Sequence, residues 1–243
     1  MLMKIYGRAF AVLMKKPLKL WGISLLSIVL TGVLTALCGV AIPGLGLAVS
    51  LLMSVSMTMI YLAGYRGMDV KVVDMFSCFK NWQTIKRVVL GMAWMALWIF
   101  LWGLIPIVGP IFAIVRSYQY RLTPYILVTE PEVPVTEAIK LSKERTHGYK
   151  LQMWLADFVY AIIFGLASFI LSLLAAIPYI GILFGLVSFV VTIAYYALSP
   201  LFAGLVQAAF YVEITTGTKK CPNCGKKLDA EAEFCSACGA NVK

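Results

Sequence analysis

Four of the six cysteines in this chain are spaced for metal chemistry. Cys221-Pro222-Asn223-Cys224-Gly225 and Cys235-Ser236-Ala237-Cys238-Gly239 form two Cys-x-x-Cys-Gly knuckles, with ten residues between Cys224 and Cys235. Two residues between thiolates let both reach one ion, and the following glycine opens the knuckle turn. Four thiolates at Cys221, Cys224, Cys235 and Cys238 close a tetrahedral Zn2+ site with no open position for water, so the metal is structural rather than catalytic. A segment as short as 220–243 cannot bury a useful core, so metal binding itself drives its folding into a small zinc ribbon. Two disulfides or a redox pair are the alternative, and they fit a tail in a reducing compartment poorly. Cys38 and Cys78 stand alone and read as small apolar fillers.

A second group of polar residues lies in an apolar background. Arg116-Ser117-Tyr118-Gln119-Tyr120-Arg121 interrupts one hydrophobic block, and Asp157 stands at the start of another. An arginine near the centre of a membrane helix costs ~2.5–3.5 kcal/mol on insertion scales, so it pairs or faces an aqueous cavity. At about 1.5 Å per residue, Arg121 and Asp157 lie roughly 10 Å from the same end of their helices. An Arg121–Asp157 ion pair is therefore expected, with Arg116 deeper and meeting hydroxyls, carbonyls or a ligand. The cluster Arg116, Tyr120, Arg121 and Asp157 has two readings that both stay open: a satisfied packing pair, or a polar pocket facing the cytoplasm.

Other candidates point away from catalysis. His147, the single histidine, sits in a basic segment without acidic or cysteine partners in the pattern. There is no Walker loop, nucleophile elbow or metalloprotease helix, so the expectation is a non-enzyme. Trp94, Trp98 and Trp102 form a stripe at spacing four, read as lipid-facing or packing, with Trp102 in an interfacial belt. Gly181 and Gly185 suggest a close helix approach.

The elements that must position these residues follow from charge. Hydrophobic residues make up 61% of the chain and charged ones 13%, against about 25% charged in ordinary soluble proteins. Residues 20–65, 88–115 and 158–212 contain no Asp, Glu, Lys or Arg at all. A bilayer core about 30 Å thick needs ~20 apolar residues per helix, so the first and third runs each hold two spans. A repeat organises the blocks: Ile42-Pro43-Gly44-Leu45-Gly46, Ile105-Pro106-Ile107-Val108-Gly109 and Ile177-Pro178-Tyr179-Ile180-Gly181. Proline ends a helix ladder and glycine supplies tight-turn geometry, so each copy marks a reversal. The expected fold is an all-α integral membrane protein. Six transmembrane helices, near 19–40, 45–65, 87–105, 107–128, 151–176 and 181–212, form three hairpins. The sixth is long enough to tilt, kink at Pro200 or run on past the membrane.

Amphipathic basic connectors precede the hairpins at 6–19, 72–87 and 135–150. They read as interfacial helices that meet anionic lipid, with a solvated connecting helix as the alternative. Thr136 is the expected cap of the last connector, which ends near Gly148. The domain plan is an N-terminal amphipathic segment (1–18), a six-span membrane domain (19–213), a linker (214–219) and the ribbon (220–243). A rival plan fuses 88–115 into one span, leaves five, and buries Pro106, Gly109 and Pro110 in mid-helix.

Orientation follows from the 21 Lys and Arg residues: all except Arg116 and Arg121 fall on one face, and the three Ile-Pro turns carry none. By the positive-inside rule both termini are cytoplasmic, in a plasma (inner) membrane. The 158–212 run leads into the tail, where Lys219, Lys220, Lys226 and Lys227 are offset by Asp229, Glu231 and Glu233. That balance favours contact with a cytoplasmic protein partner, or autoinhibitory docking on the membrane domain, over nucleic acid.

The run Tyr120-Arg121-Leu122-Thr123-Pro124-Tyr125-Ile126-Leu127, then Val135-Thr136-Glu137-Ala138-Ile139-Lys140-Leu141-Ser142, then Gly148-Tyr149-Lys150, resembles a known arrangement. It is similar to a superfamily of bacterial and archaeal membrane proteins that includes the membrane-spanning domain fused to some glycerophosphodiester phosphodiesterases. Pro200 and Phe210-Tyr211-Val212-Glu213 resemble the end of that family's last helix. The similarity covers about 110–213 and implies a six-span helical fold without the phosphodiesterase's catalytic barrel. The tail resembles zinc ribbons appended to many bacterial membrane proteins. Together these features suggest a membrane scaffold or regulator, or alternatively a transporter or lipid-handling protein built on the intramembrane polar site.

Overall fold

A computed structural model describes the chain except for residues 1, 16, 43, 178–180, 217, 221–222, 225–226, 230–233, 235–237 and 242–243. Its helices are α1 (Leu2–Lys15), α2 (Pro17–Ala41), α3 (Leu45–Tyr65), α4 (Trp82–Gly103), α5 (Gly109–Gln119), α6 (Thr123–Thr129), α7 (Val135–Arg145), α8 (Lys150–Ala175) and α9 (Gly181–Thr216). A 3-10 turn covers Val72–Phe79, and a two-stranded hairpin, β1 (Thr218–Lys220) with β2 (Lys227–Asp229), follows α9. Among the described residues, α3, α4, α8, α9 and Lys19–Val40 of α2 are long and apolar enough to cross a membrane.

Three hairpins form as the charge-free runs dictate, and the prolyl turns show why their glycines matter. Gly44 and Ile107 occupy the same place in two copies of the repeat, and both are left-handed, with φ of 89° and 68°. The closing glycine has a different task from the expected turn geometry. A Cβ on Gly46 would meet the Thr35 carbonyl at 2.6 Å, one on Gly109 the Gly103 carbonyl at 2.6 Å, and one on Gly181 the Ala175 carbonyl at 2.2 Å. In all three copies the last glycine lets the returning helix start against the backbone it has just left. Gly185 meets nothing within 4 Å, so the expected approach surface of Gly181 with Gly185 reduces to Gly181 alone.

The fourth expected span is not one helix. α5 ends at Gln119, α6 begins at Thr123, and Pro124 sits in its first turn. Proline disfavours helical geometry in the residue before it and cannot donate to the preceding turn, so the ladder breaks there. At 1.5 Å per residue the eleven residues of α5 reach about 16 Å, roughly half a bilayer core. The rival plan of a single helix through 88–115 also fails, because α4 stops at Gly103 and α5 returns beside it, with Trp102 and Phe112 in ring contact at 5.6 Å.

The connectors differ in detail from expectation. The segment 72–87 divides into the 3-10 turn and the first turns of α4, which Asn81 caps by accepting from the Gln83 amide at 3.0 Å. Thr136 lies inside α7 instead of capping it, because the helix already starts at Val135 behind Pro134. Gly148 then reverses the chain at φ 87°.

Packing concentrates at the charged end of the hairpins. α3 from Leu52 onward, α6 around residues 125–127 and the second half of α9 supply most fully buried side chains, among them Met53, Val55, Tyr125, Ile126, Leu201 and Leu205. Tyr125 stacks on Tyr211 at 4.4 Å, and Tyr211 shares a hydrogen bond with Thr129. α9 runs unbroken through Pro200 for 36 residues, about 54 Å, longer than a bilayer core is thick. α1 lies against this packed layer. Ile5 and Ala9 are buried, Tyr6 stacks on Phe202 and donates to the Ala156 carbonyl, and Arg8 pairs with Glu213 at 3.2 Å.

Candidate functional site

The break between α5 and α6 frees backbone groups, and α7 folds back to satisfy them. The Ser142 hydroxyl donates to the Gln119 carbonyl at 2.8 Å and accepts from the Leu122 amide at 3.2 Å. Thr146 also donates to the Gln119 carbonyl, at 3.1 Å. Both side chains are fully buried. Beyond α6, Arg87 donates to the Leu127 and Glu130 carbonyls, each at 2.8 Å, and the Arg145 guanidinium forks onto the Glu130 carboxylate. An unpaired buried amide or carbonyl costs about 1–3 kcal/mol, so these contacts fix the break in place.

On the α8 side of the break, Arg121 and Asp157 form a bidentate pair, Nη1 to Oδ2 at 2.5 Å and Nη2 to Oδ1 at 3.2 Å. The Tyr118 hydroxyl donates to Asp157 Oδ2 at 2.9 Å, and Arg121 lies 5.0 Å over the Tyr118 ring. Forked arginine–carboxylate bonds are both stronger and more directional than a lysine contact. With its two cationic bonds and a hydroxyl donor, Asp157 is satisfied as a carboxylate, which suits a positioning pair between α5–α6 and α8.

Arg116 and Tyr120 do not join that pair. Arg116 stacks 4.4 Å over Trp102 of α4 and donates to Gln119 Oε1 within its own helix at 2.8 Å, and Tyr120 faces the same α4 tryptophans. The four residues grouped from sequence are thus two sites on opposite sides of one helix. Sequence reasoning missed Tyr118, Gln119, Ser142, Arg87 and the Glu130–Arg145 clasp. Pro124 signalled the break, but nothing local pointed to a serine twenty residues onward as its partner.

Cys78 is buried and its amide donates to Ser56 Oγ at 3.3 Å; burial pushes its thiol up from the ordinary range, as suits a packing residue. His147 is exposed, and its amide caps the Glu144 carbonyl at 3.2 Å.

The tail begins directly after α9. β1 and β2 pair antiparallel, Thr218 with Asp229 and Lys220 with Lys227, and Asn223 and Cys224 lie in a turn between them. A bridge pairs Phe234 with Asn241, on either side of Cys238 in the sequence, and Gly239 is left-handed at φ 68°. Residues 220–242 match the zinc-ribbon domain family. The ribbon's Cys224 and Cys238 are exposed, while Cys221 and Cys235 lie outside the described residues. The spacing of the four cysteines in the sequence, two Cys-x-x-Cys pairs, fits a ribbon's tetrahedral donor set. No curated protein and no solved structure matches the chain.

Proposed function

We propose that this chain is a multi-pass membrane scaffold or regulator that presents a zinc-loaded ribbon to a cytoplasmic protein partner, with its basic connectors against anionic lipid. The observation that carries this reading is the continuity of the last helix with the tail. α9 is clamped in the packed layer through Leu201, Leu205, Phe210 and Ile214, and the ribbon's first strand starts two residues after its end. A module on so short a tether is held at the membrane surface, not free to diffuse. Zinc would be held by Cys221, Cys224, Cys235 and Cys238 and would supply folding energy, not reactivity. The Lys/Arg bias supports cytoplasmic termini and hence an even number of crossings, six with α5 and α6 sharing the fourth; we place them in a plasma membrane.

Chemical crosslinking in native membranes tests the recruitment. Partners crosslinked to the intact chain are expected to be lost from a Cys221→Ser/Cys224→Ser variant that still accumulates in the membrane. Recovery of the same partners from both would falsify it.

A second reading, a transporter or lipid-handling protein, is favoured by the broken α5–α6 helix beside Arg116. Discontinuous helices at mid-membrane are where transporters place their sites. The resemblance of 110–213 to the phosphodiesterase-associated membrane family is compatible with either reading.

A further inference from the structure

α4, α5 and α7 leave a groove of about 300 Å³ between them. Trp94 and Trp98 lie along it, each more than a third exposed and edge-to-face at 5.8 Å. Trp102 carries the Arg116 guanidinium on its face. α7 adds Lys140 and Lys143, both exposed and without an ion-pair partner among the described residues. Glu137 and Glu144 flank these lysines on α7 but line no part of the groove. Three cations and no carboxylate therefore face a cavity walled by indoles.

That combination has a specific complement. The cations call for an anionic head, and the exposed indole faces call for an apolar body beside it. Arg116 has five donors, of which one is given to Gln119, so it keeps capacity for a further acceptor. With α4 in a bilayer, as its length and apolarity allow, the molecule that meets this wall is a lipid.

We infer that the groove binds an anionic membrane phospholipid, its phosphate facing Lys140 and Lys143 and an acyl chain lying along Trp94 and Trp98. Arg116, held on Trp102, closes the far end of the groove. The site rests on the membrane reading of the helices and is independent of the ribbon's role. It turns the tryptophan stripe from a lipid belt into one wall of a defined site, because α7 brings its lysines alongside.

The full chain is reconstituted in phosphatidylcholine nanodiscs containing a minor fraction of brominated phosphatidylglycerol or, separately, brominated phosphatidylcholine. Brominated phosphatidylglycerol is expected to quench tryptophan fluorescence with about fivefold or greater preference, since each surface lysine contributes about that factor. Lys140→Gln/Lys143→Gln should abolish the preference without disturbing the fold, because both side chains are exposed and glutamine is a good helix former. Trp94→Phe/Trp98→Phe should remove the phosphatidylglycerol-dependent part of the quenching. Equal quenching by the two lipids, or a preference that survives Lys140→Gln/Lys143→Gln, overturns the site. Relief of quenching by soluble glycerol phosphate overturns the lipid assignment in favour of a free phosphate ester. Failure to enter nanodiscs at all would sink the membrane reading along with the site, whereas normal reconstitution with equal quenching sinks the groove alone.

Discussion

Two glycines on α9 separate the two ends of this molecule. Gly204 lies in the packed layer, where a Cβ would sit 2.1 Å from the Tyr61 ring; Gly185, farther along the same helix, meets nothing within 4 Å. Tyr61 cannot move aside easily, because it is buried and its hydroxyl is bonded to Ser24 at 3.0 Å. The same contrast holds for polar groups. At the charged end, hydroxyls bridge different elements, as Ser142 does. In the outer part of α8, Ser172 bonds only the Phe169 carbonyl one turn back. The closest packing therefore lies at one end, and the far halves of the hairpins meet through their turns and through ring pairs such as Phe164 with Tyr195 and Trp102 with Phe112.

Substitutions can break or sharpen that contrast. The largest effect is expected for Gly204→Ala, about 3 kcal/mol of destabilisation from overpacking, with Gly185→Ala within about 0.5 kcal/mol of the parent. Reversible denaturant unfolding in detergent micelles reads both, and equal effects would mean that the packed layer is no tighter than the hairpin ends. Asp157→Ala strands a half-buried Arg121 and should cost about 2 kcal/mol. A double-mutant cycle with Arg121→Ala measures the coupling directly, and additivity would deny the pair any energetic role. Next, Ser142→Ala leaves the Leu122 amide unpaired and should cost about 1–2 kcal/mol, while Ser172→Ala should be neutral. Hydrogen exchange at Leu122 gives a local readout of the same change. The smallest effect, of opposite sign, is expected for Ile107→Gly, since a β-branched residue at φ 68° stores about 1 kcal/mol that glycine releases. A rise in the thermal midpoint is the predicted result, and a fall would argue that the Ile107 side chain is used.

How much of this was legible in the sequence depended on the range of the interaction. Charge-free runs and Pro-x-x-Gly turns are local, so the hairpins and their limits could be read directly from residues such as Ile105, Pro106 and Gly109. The Cys-x-x-Cys knuckles are equally local. The break at Tyr120–Leu122 was half legible: Pro124 gave its position, but the hydrophobicity on either side matched one continuous span. What closes the break was not legible, since a serine in an amphipathic helix has many uses and only the fold brings Ser142 to Gln119. The division of the polar cluster was hidden for a simpler reason. Arg116, Tyr120 and Arg121 are near in sequence, but the end of α5 turns Arg121 towards Asp157 and leaves Arg116 with Trp102. The lysines of the groove were read as interfacial because their indole neighbours stand some forty residues earlier in the chain.

The hydroxyl that closes the α5–α6 break also sets an order of events during synthesis. Gln119 and Leu122 leave the ribosome 23 and 20 residues before Ser142 does. Until then the nascent α4–α5 hairpin has no partner for those groups. It must wait in an environment that can hydrate them, and it locks only when the following connector arrives. Connector and hairpin are therefore a single unit of assembly, and a chain cut after Thr129 would release a half-membrane hairpin with an open seam.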